Sequence, residues 1–270
     1  MRESQSVRHM LARFFWGCFM SAQNPIVLIP ARMASTRLPN KPLAMIDGVP
    51  MIVRVWQCAV AADCGRVVVA AGDASIADAI NKAGGEAVLT DPDLPSGSDR
   101  IHAALKAVDA KGTHDAIINL QGDLPTLDPA LVKTTLETLD DYDMSTLVAE
   151  ITDAAERDNP NVVKAVLSMT SEFRGRALYF TRATAPTGDG PLYHHIGIYG
   201  YTRAALDKFV ALPPSPLEVR ERLEQLRALE AGMSIAAAVV KTVPVGVDTA
   251  DDLAHAERVV QQSKTDASHV

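Results

Sequence analysis

The sequence predicts an α/β fold: a mostly parallel sheet flanked by helices, with a smaller antiparallel insertion in the second half. Three observations carry this. From residue 25 onward, short apolar runs alternate with segments of helical period. The runs are continuous and rich in Val and Ile, as strands buried on both faces require. After residue 144 the alternation lapses and strand candidates follow one another. Repeated strand–helix–strand order implies right-handed crossovers and parallel pairing.

"IVLIP" (26–30) is the first strand, and residues 50–62 form a helix with Pro50 where no amide donor is needed. "RVVVAA" (66–71) is the second strand, and residues 74–85 are a helix closed by glycines. "EAVLT" (86–90) is the third strand, and residues 98–112 are a helix with Ser98 as N-cap. Residues 115–123 form a fourth strand that runs into a loop. Later strands are expected at 144–151, 161–168, 177–183, 194–201 and 235–243, and helices at 216–232 and 250–262. The order is Rossmann-like, and in such sheets ligands bind at the carboxyl ends of the strands.

Residues 25–262 read as a single domain, and the tail 263–270 as disordered. Residues 1–24 read as an extension, with Met20 as a candidate start. The seven apolar residues "FFWGCFM" fall well below the roughly 20 needed to span a bilayer. The site that follows them is poor for signal cleavage, so no membrane partner is expected. A net charge of −7 and a pI near 5.5 argue against nucleic-acid binding, which needs excess cations. Cys18, Cys58 and Cys64 are odd in number and lack metal-ligand spacing, which fits a reduced, cytoplasmic protein.

The loop after the first strand raises the question of chemistry. "IPARMASTRLPNKP" (29–42) holds the cations Arg32, Arg37 and Lys41, the hydroxyls Ser35 and Thr36, and the prolines Pro39 and Pro42, with no glycine. The chain has neither G-x-x-x-x-G-K-[ST] nor a G-x-G-x-x-G turn after this strand, which argues against a Walker NTPase and an NAD site. Side-chain neutralisation of a polyphosphate remains, with a solvated basic loop as the ordinary alternative. In "QGDLP" (121–125), Asp123 follows an apolar strand, where a Mg²⁺ would compensate its charge; a turn aspartate is the alternative. In "GVDTADD" (246–252), capping by Thr249 explains Asp251 and Asp252 better than Asp248. Two carboxylates beside a polyphosphate cradle describe metal-assisted nucleotidyl transfer.

Seven segments in order carry a specific resemblance: "IPARMASTRLPNKPL", "SGSDRI" (96–101), "QGDLP", "HHIGIYGY" (194–201), "PSPLE" (214–218), "LEQLR" (223–227) and "GVDTADDL". From about residue 25 to 260 the chain resembles the 3-deoxy-manno-octulosonate (KDO) cytidylyltransferases. The resemblance implies in-line attack of the KDO anomeric hydroxyl on the α-phosphate of CTP, giving CMP-KDO and pyrophosphate for lipopolysaccharide synthesis. By matched position, Arg32, Ser35, Arg37 and Lys41 would hold the triphosphate, and Ser98 and Arg100 would lie on the nucleotide side. Asp123 and Asp248 would ligate Mg²⁺, and with Arg32 and Lys41 would form the catalytic group. Gln121, His195, Tyr199, Glu224 and Gln225 would line the sugar site, and Arg182 would meet the KDO carboxylate.

Taken singly, His195 fits a core histidine, Glu224 and Gln225 a surface helix, and Tyr199 simple packing with Tyr201. No general base is evident; His195 is the tempting candidate. The resemblance also implies a homodimer, with residues 177–201 as the expected contact. Three departures stand out: Leu124 in place of a Glu, Leu94–Pro95 in place of a His-Gln pair, and a short connection from 182 to 194. The rival readings are a CMP-sialic acid or 8-amino-KDO enzyme, or a non-catalytic nucleotide- or sugar-binding regulator.

Overall fold

The computed structural model describes residues 22–34 and 37–267. The first half runs β1 (Pro25–Ala31), the short hairpin β2 (Met45–Ile46) and β3 (Val49–Pro50), α1 (Met51–Ala61), β4 (Arg66–Ala71), α2 (Ala74–Lys82), β5 (Ala87–Leu89), α3 (Gly97–Val108), β6 (Ala116–Leu120) and α4 (Pro129–Leu139). The second half runs β7 (Met144–Glu150), α5 (Ala154–Arg157), β8 (Lys164–Ser171), β9 (Arg174–Thr181), β10 (Tyr193–Thr202), α6 (Arg203–Ala211), α7 (Pro216–Glu221), α8 (Leu226–Glu230), β11 (Ile235–Val240) and α9 (Ala250–Ala267).

β1 shows why these runs become strands. Val27 and Ile29 join one apolar layer with Ile52 and Val55 of α1, Ile76 and Ile80 of α2, and Val132 of α4. Ile26 and Leu28 join the opposite layer with Ile101 and Leu105 of α3, Phe209 of α6 and Leu226 of α8. Both faces of the strand are dry, so every position is apolar. Each large side chain buried this way contributes about 1.5–3 kcal/mol.

The main sheet has the order β5-β4-β1-β6-β10-β7-β11-β9-β8. Its first four strands are parallel, β10 enters antiparallel between β6 and β7, and β7 and β11 are again parallel. The antiparallel β9 and β8 extend this same sheet, and β8 also pairs back onto the start of β10. Among the described residues, no helix is long and apolar enough to cross a membrane.

Several elements differ from their sequence expectations, each for a local reason. Helices α4 and α6 were not anticipated, although Asp128 and Thr202 cap them by accepting from Ala130 N and Ala205 N. The N-cap of α3 is Ser96, which accepts from Asp99 N, so Ser98 is released from that role. The expected helix 216–232 breaks in two at Arg222, which adopts a left-handed backbone (φ 57°). α9 continues to Ala267 with Lys264 paired to Asp47, so part of the tail expected to be disordered is helical. Gln23 N and Asn24 N donate to Asp115, which ties residues assigned to the extension into the fold. The rest of that extension, residues 1–21, lies outside the described residues.

Candidate active site

The carboxyl ends of β1 and β6 lie side by side, and the loops leaving them build a cleft of about 440 Å³. Arg32, Arg37, Lys41, Gln121, Asp123 and Asp248 line it, with Ser96 and Gly97 at the amino end of α3. Helix amino termini favour anions through their free N–H groups. The glycine between Gln121 and Asp123 is required by crowding: a Cβ on Gly122 would lie 2.9 Å from Pro30 O and 3.2 Å from Ile52 Cδ1.

Lys41 joins three distant parts of the chain. Its Nζ donates to Asp123 Oδ2 at 2.8 Å, to Asp248 Oδ1 at 3.0 Å and to Val247 O at 3.0 Å. Asn40, in the left-handed conformation (φ 56°) that Asn tolerates, sets the 3-10 turn Lys41–Leu43 from which this side chain reaches. Burial opposes the ammonium charge, but Asp123 and Asp248 outweigh it and hold the Lys41 pKa above its ordinary value. The Arg37 Nη2 stands 3.0 Å from Asp248 Oδ2. Arg32 is exposed and, among the described residues, makes no ion pair. Ser35 lies outside the described residues.

Asp248 is held by a device only partly legible in the sequence. The Asp252 carboxylate accepts from Asp248 N at 3.0 Å, from Thr249 N at 2.8 Å and from the Thr249 hydroxyl at 2.8 Å. Thr249 Oγ1 in turn accepts from Asp252 N, as expected of an N-cap. Asp73 was missed: it accepts from Met33 N at 2.8 Å and pins the cationic loop, yet nothing in its sequence context marks that contact.

The two residues expected on the nucleotide side are both buried, and Arg100 is part of the cleft lining. Arg100 is 2% exposed and commits its guanidinium to Thr90 Oγ1, Asp91 O and Pro92 O, bracing the loop after β5 at the back of the cleft. Ser98 is also 2% exposed and donates to Glu224 Oε2 at 2.8 Å.

Of the residues expected at the sugar, His195 and Tyr199 stand in a row of rings that runs from Phe180 of β9 along β10: Phe180–His195 centroids lie 4.9 Å apart, His195–Tyr199 5.5 Å and Tyr199–Tyr201 6.3 Å. The Thr146 hydroxyl donates to Ile198 O at 2.8 Å, leaving its oxygen to accept from His195 Nε2 at 3.0 Å. Burial pushes the His195 pKa down to about 3, so the imidazole is neutral and poorly suited to act as a general base. Gln121 donates to Asn119 Oδ1 at 3.1 Å and faces the cleft. Glu224 and Gln225 sit in the α7–α8 turn rather than on an exposed helix, and Glu224 Oε1 and Gln225 Nε2 are buried without hydrogen-bond partners. Arg182 is outside the cleft lining, with Nε on Glu221 O at 2.9 Å and Nη1 on Pro160 O at 3.0 Å. Leu124 is 8% exposed and packs in the apolar layer with Ile52 and Leu127, so that departure exchanges a charge for core contact.

A cationic cleft at parallel strand ends, with two aspartates converging on one lysine, fits nucleotidyl transfer, and the comparisons agree. The family model described as Cytidylyltransferase matches residues 26–235. The 3-deoxy-manno-octulosonate cytidylyltransferase of Parvibaculum lavamentivorans is 68% identical over 234 residues, covering 86% of this chain and 91% of that protein. The enzyme of the same name from Rhodospirillum rubrum is 59% identical over 245 residues, covering 89% and 97%. The chain belongs to the 3-deoxy-manno-octulosonate cytidylyltransferase family.

A solved structure of CMP:2-keto-3-deoxy-manno-octonic acid synthetase complexed with CTP superposes with a TM-score of 0.81 at 38% identity, over 89% of this chain and 99% of that one. A nucleotidyl transferase from Methanothermobacter thermautotroptrophicus, at 15% identity and a TM-score of 0.58, shares the fold. Within this cytidylyltransferase the cleft is walled by loop cations and the two aspartates, while Glu224 lines a neighbouring cavity that shares Ser96 with it.

Proposed function

We propose that the protein transfers CMP from CTP to KDO with release of pyrophosphate. The observation that carries this reading is Lys41, which draws Asp123 and Asp248 together inside the cationic cleft. The anomeric oxygen of KDO forms a bond to the α-phosphorus as the bond to the bridging α–β oxygen breaks. The hydroxyl proton is lost, and pyrophosphate leaves in line. Arg32, Arg37 and Lys41 neutralise the triphosphate and the charge that develops on the leaving group. Burial lowers the His195 pKa and weakens the imidazole as a base for that proton.

The donor set fits Mg²⁺. Asp123 and Asp248 are hard oxygen ligands that both reach one ammonium, and two carboxylates plus substrate phosphates are the usual environment of this ion. Bound there, Mg²⁺ would lower the repulsion between the triphosphate and an anionic sugar acid. The buried Gln225 Nε2, which has no hydrogen-bond partner, supports a hydroxyl-rich ligand beside it, whereas Glu224 Oε1 keeps an ion pair with Arg227 Nη2 at 3.8 Å.

Residence in the cytoplasm and a role in lipopolysaccharide synthesis go with this reaction. So does a homodimer, for which the exposed Met169, Phe173 and Leu178 of the β8–β9 hairpin offer apolar contact.

The test is pyrophosphate release with Mg²⁺ and CTP, supplied in parallel with KDO, 8-amino-KDO or sialic acid. Release with KDO alone is the expected outcome. Release with a different acid keeps the chemistry and moves the substrate. Silence with all three, from protein that binds CTP, overturns the assignment in favour of a nucleotide-binding regulator.

A further inference from the structure

Gly72 and Asp73 follow β4 and tie its end to the cationic loop that leaves β1. Gly72 N donates to Ala31 O at 2.8 Å, and Asp73 Oδ2 accepts from Met33 N at 2.8 Å. The two bonds grip the backbone immediately before and after Arg32. Asp73 stands at the N-cap of α2, where a carboxylate ordinarily accepts from its own helix. Its side chain makes no such bond and reaches instead to a residue 40 positions earlier.

Gly72 is required here by space. A Cβ on it would lie 2.7 Å from Arg100 Nη1 and 3.2 Å from Arg32 Cβ. The Arg100 guanidinium is fixed by Thr90 Oγ1, Asp91 O and Pro92 O, so it has little freedom to give way. Two cationic side chains therefore come together over one glycine. Burial lowers the Arg100 pKa, the neighbouring Arg32 lowers it further, and Asp73 and Asp91 oppose them. Arg32 and Arg100 both line the cleft, and Arg32 is exposed without an ion pair among the described residues. A long, unpaired side chain has many rotamers, so the course of its backbone decides where its charge can reach.

We infer that Asp73, with Gly72 as its spacer, is a positioning residue for Arg32, holding the start of the β1 loop so that this guanidinium meets the triphosphate in the cleft. The inference rests on the reading of the cleft as the CTP site. Losing the carboxylate leaves Met33 N without its acceptor and lets the loop drift from β4. Misplacement of about 1 Å is enough to weaken a site severely. Charge alone predicts the opposite sign, since removing an anion beside two guanidiniums favours a triphosphate.

The experiment titrates CTP with Mg²⁺, and no sugar acid, into wild type, Asp73→Ala, Asp73→Asn, Gly72→Ala, Arg32→Ala and the Arg32→Ala/Asp73→Ala double variant. Each protein is followed by calorimetry, and its thermal unfolding is recorded. Asp73→Ala is expected to raise the Kd for CTP about tenfold. Asp73→Asn keeps an acceptor for Met33 N and drops the negative charge, so it should bind CTP within about twofold of wild type, or more tightly. In the Arg32→Ala background, Asp73→Ala should add less than about twofold, because nothing remains for it to position. Gly72→Ala should weaken CTP binding as Asp73→Ala does, and it carries the comparison if that variant does not fold. Unchanged or tighter CTP binding by folded Asp73→Ala overturns the inference. So do additive losses in the double variant, which would leave a merely structural tie between two loops. With no sugar acid present, a failed KDO assignment cannot produce either result. A wild type that binds no CTP overturns the reading of the cleft and this inference with it.

Discussion

On the phosphate side, Arg32, Arg37, Lys41, Asp123 and Asp248 reach an open cleft from loops, and Asp248 keeps a side chain 47% exposed. On the sugar side, His195, Tyr201 and Gln225 lie within the fold, 9%, 2% and 4% exposed. In the proposed reaction the first region would recognise charge, which acts over several ångströms and tolerates mobile, solvated groups. The second would recognise hydroxyl geometry, which requires fixed donors and acceptors in a dry layer. Function and stability can therefore be separated in the first region and are coupled in the second.

The largest effect expected from this contrast is at Asp123. Asp123→Asn should lower kcat by at least about 10²-fold, the scale of losing one charge-stabilising group in a transition state. Its side chain is 35% exposed, so the Tm should hardly move. Pyrophosphate release and a thermal melt on one sample decide the matter. A wild-type rate that still depends on Mg²⁺ would break the two-carboxylate reading of the cleft.

The next effect belongs to the buried side and is read in pH. Burial holds the folded-state pKa of His195 at about 3, against an ordinary value of 6.5. Between those two values the unfolded chain binds a proton that the folded protein does not, so stability falls as pH falls. Above 6.5 both states are neutral and His195 contributes no pH dependence. The slope from one such group is about 1.4 kcal/mol per pH unit. Carboxylates such as Asp252, whose pKa is lowered despite burial by the Thr249 and Asp248 hydrogen bonds, also lose their stabilising charge as the pH falls. The informative quantity is therefore the wild-type stability curve minus that of His195→Gln. A flat difference between pH 3 and 6.5 would mean that the ring reaches water, which would weaken the contrast between the two regions.

The same contrast explains what could be read from the sequence. Strand β4 matches its expected bounds, and β1 differs by one residue at each end, because burial on both faces leaves an unbroken apolar run. The phosphate cations and both aspartates were legible because unusual charge in a loop after a strand is visible without knowing any contact. The break at Arg222 was not, since a non-glycine residue in the left-handed conformation leaves no local signal. Ser98 and Arg100 stood in a motif that suggested nucleotide contact. Their actual partners, Glu224 and the 90–92 loop, are set by tertiary packing. Charge patterns survive in one dimension, whereas the geometry of a buried polar layer exists only once the helices have docked.

The smallest effect is the most discriminating, because it has opposite signs in the two properties. Gln225 Nε2 is buried without a partner in the free protein, a state that costs about 1–3 kcal/mol. Gln225→Leu removes that amide at nearly constant shape and should stabilise the unliganded protein by about 1 kcal/mol in a denaturant titration. The same change removes a donor from the sugar side, so KM for KDO should rise several-fold while KM for CTP holds. If Gln225→Leu destabilises the protein and leaves the sugar KM alone, the amide is a satisfied structural group and its place on the sugar side is lost. If it stabilises and also raises the sugar KM, the unpaired donor is a cost retained for the ligand. The phosphate side, whose charges pair with one another through Lys41 in the free protein, should offer no equivalent substitution.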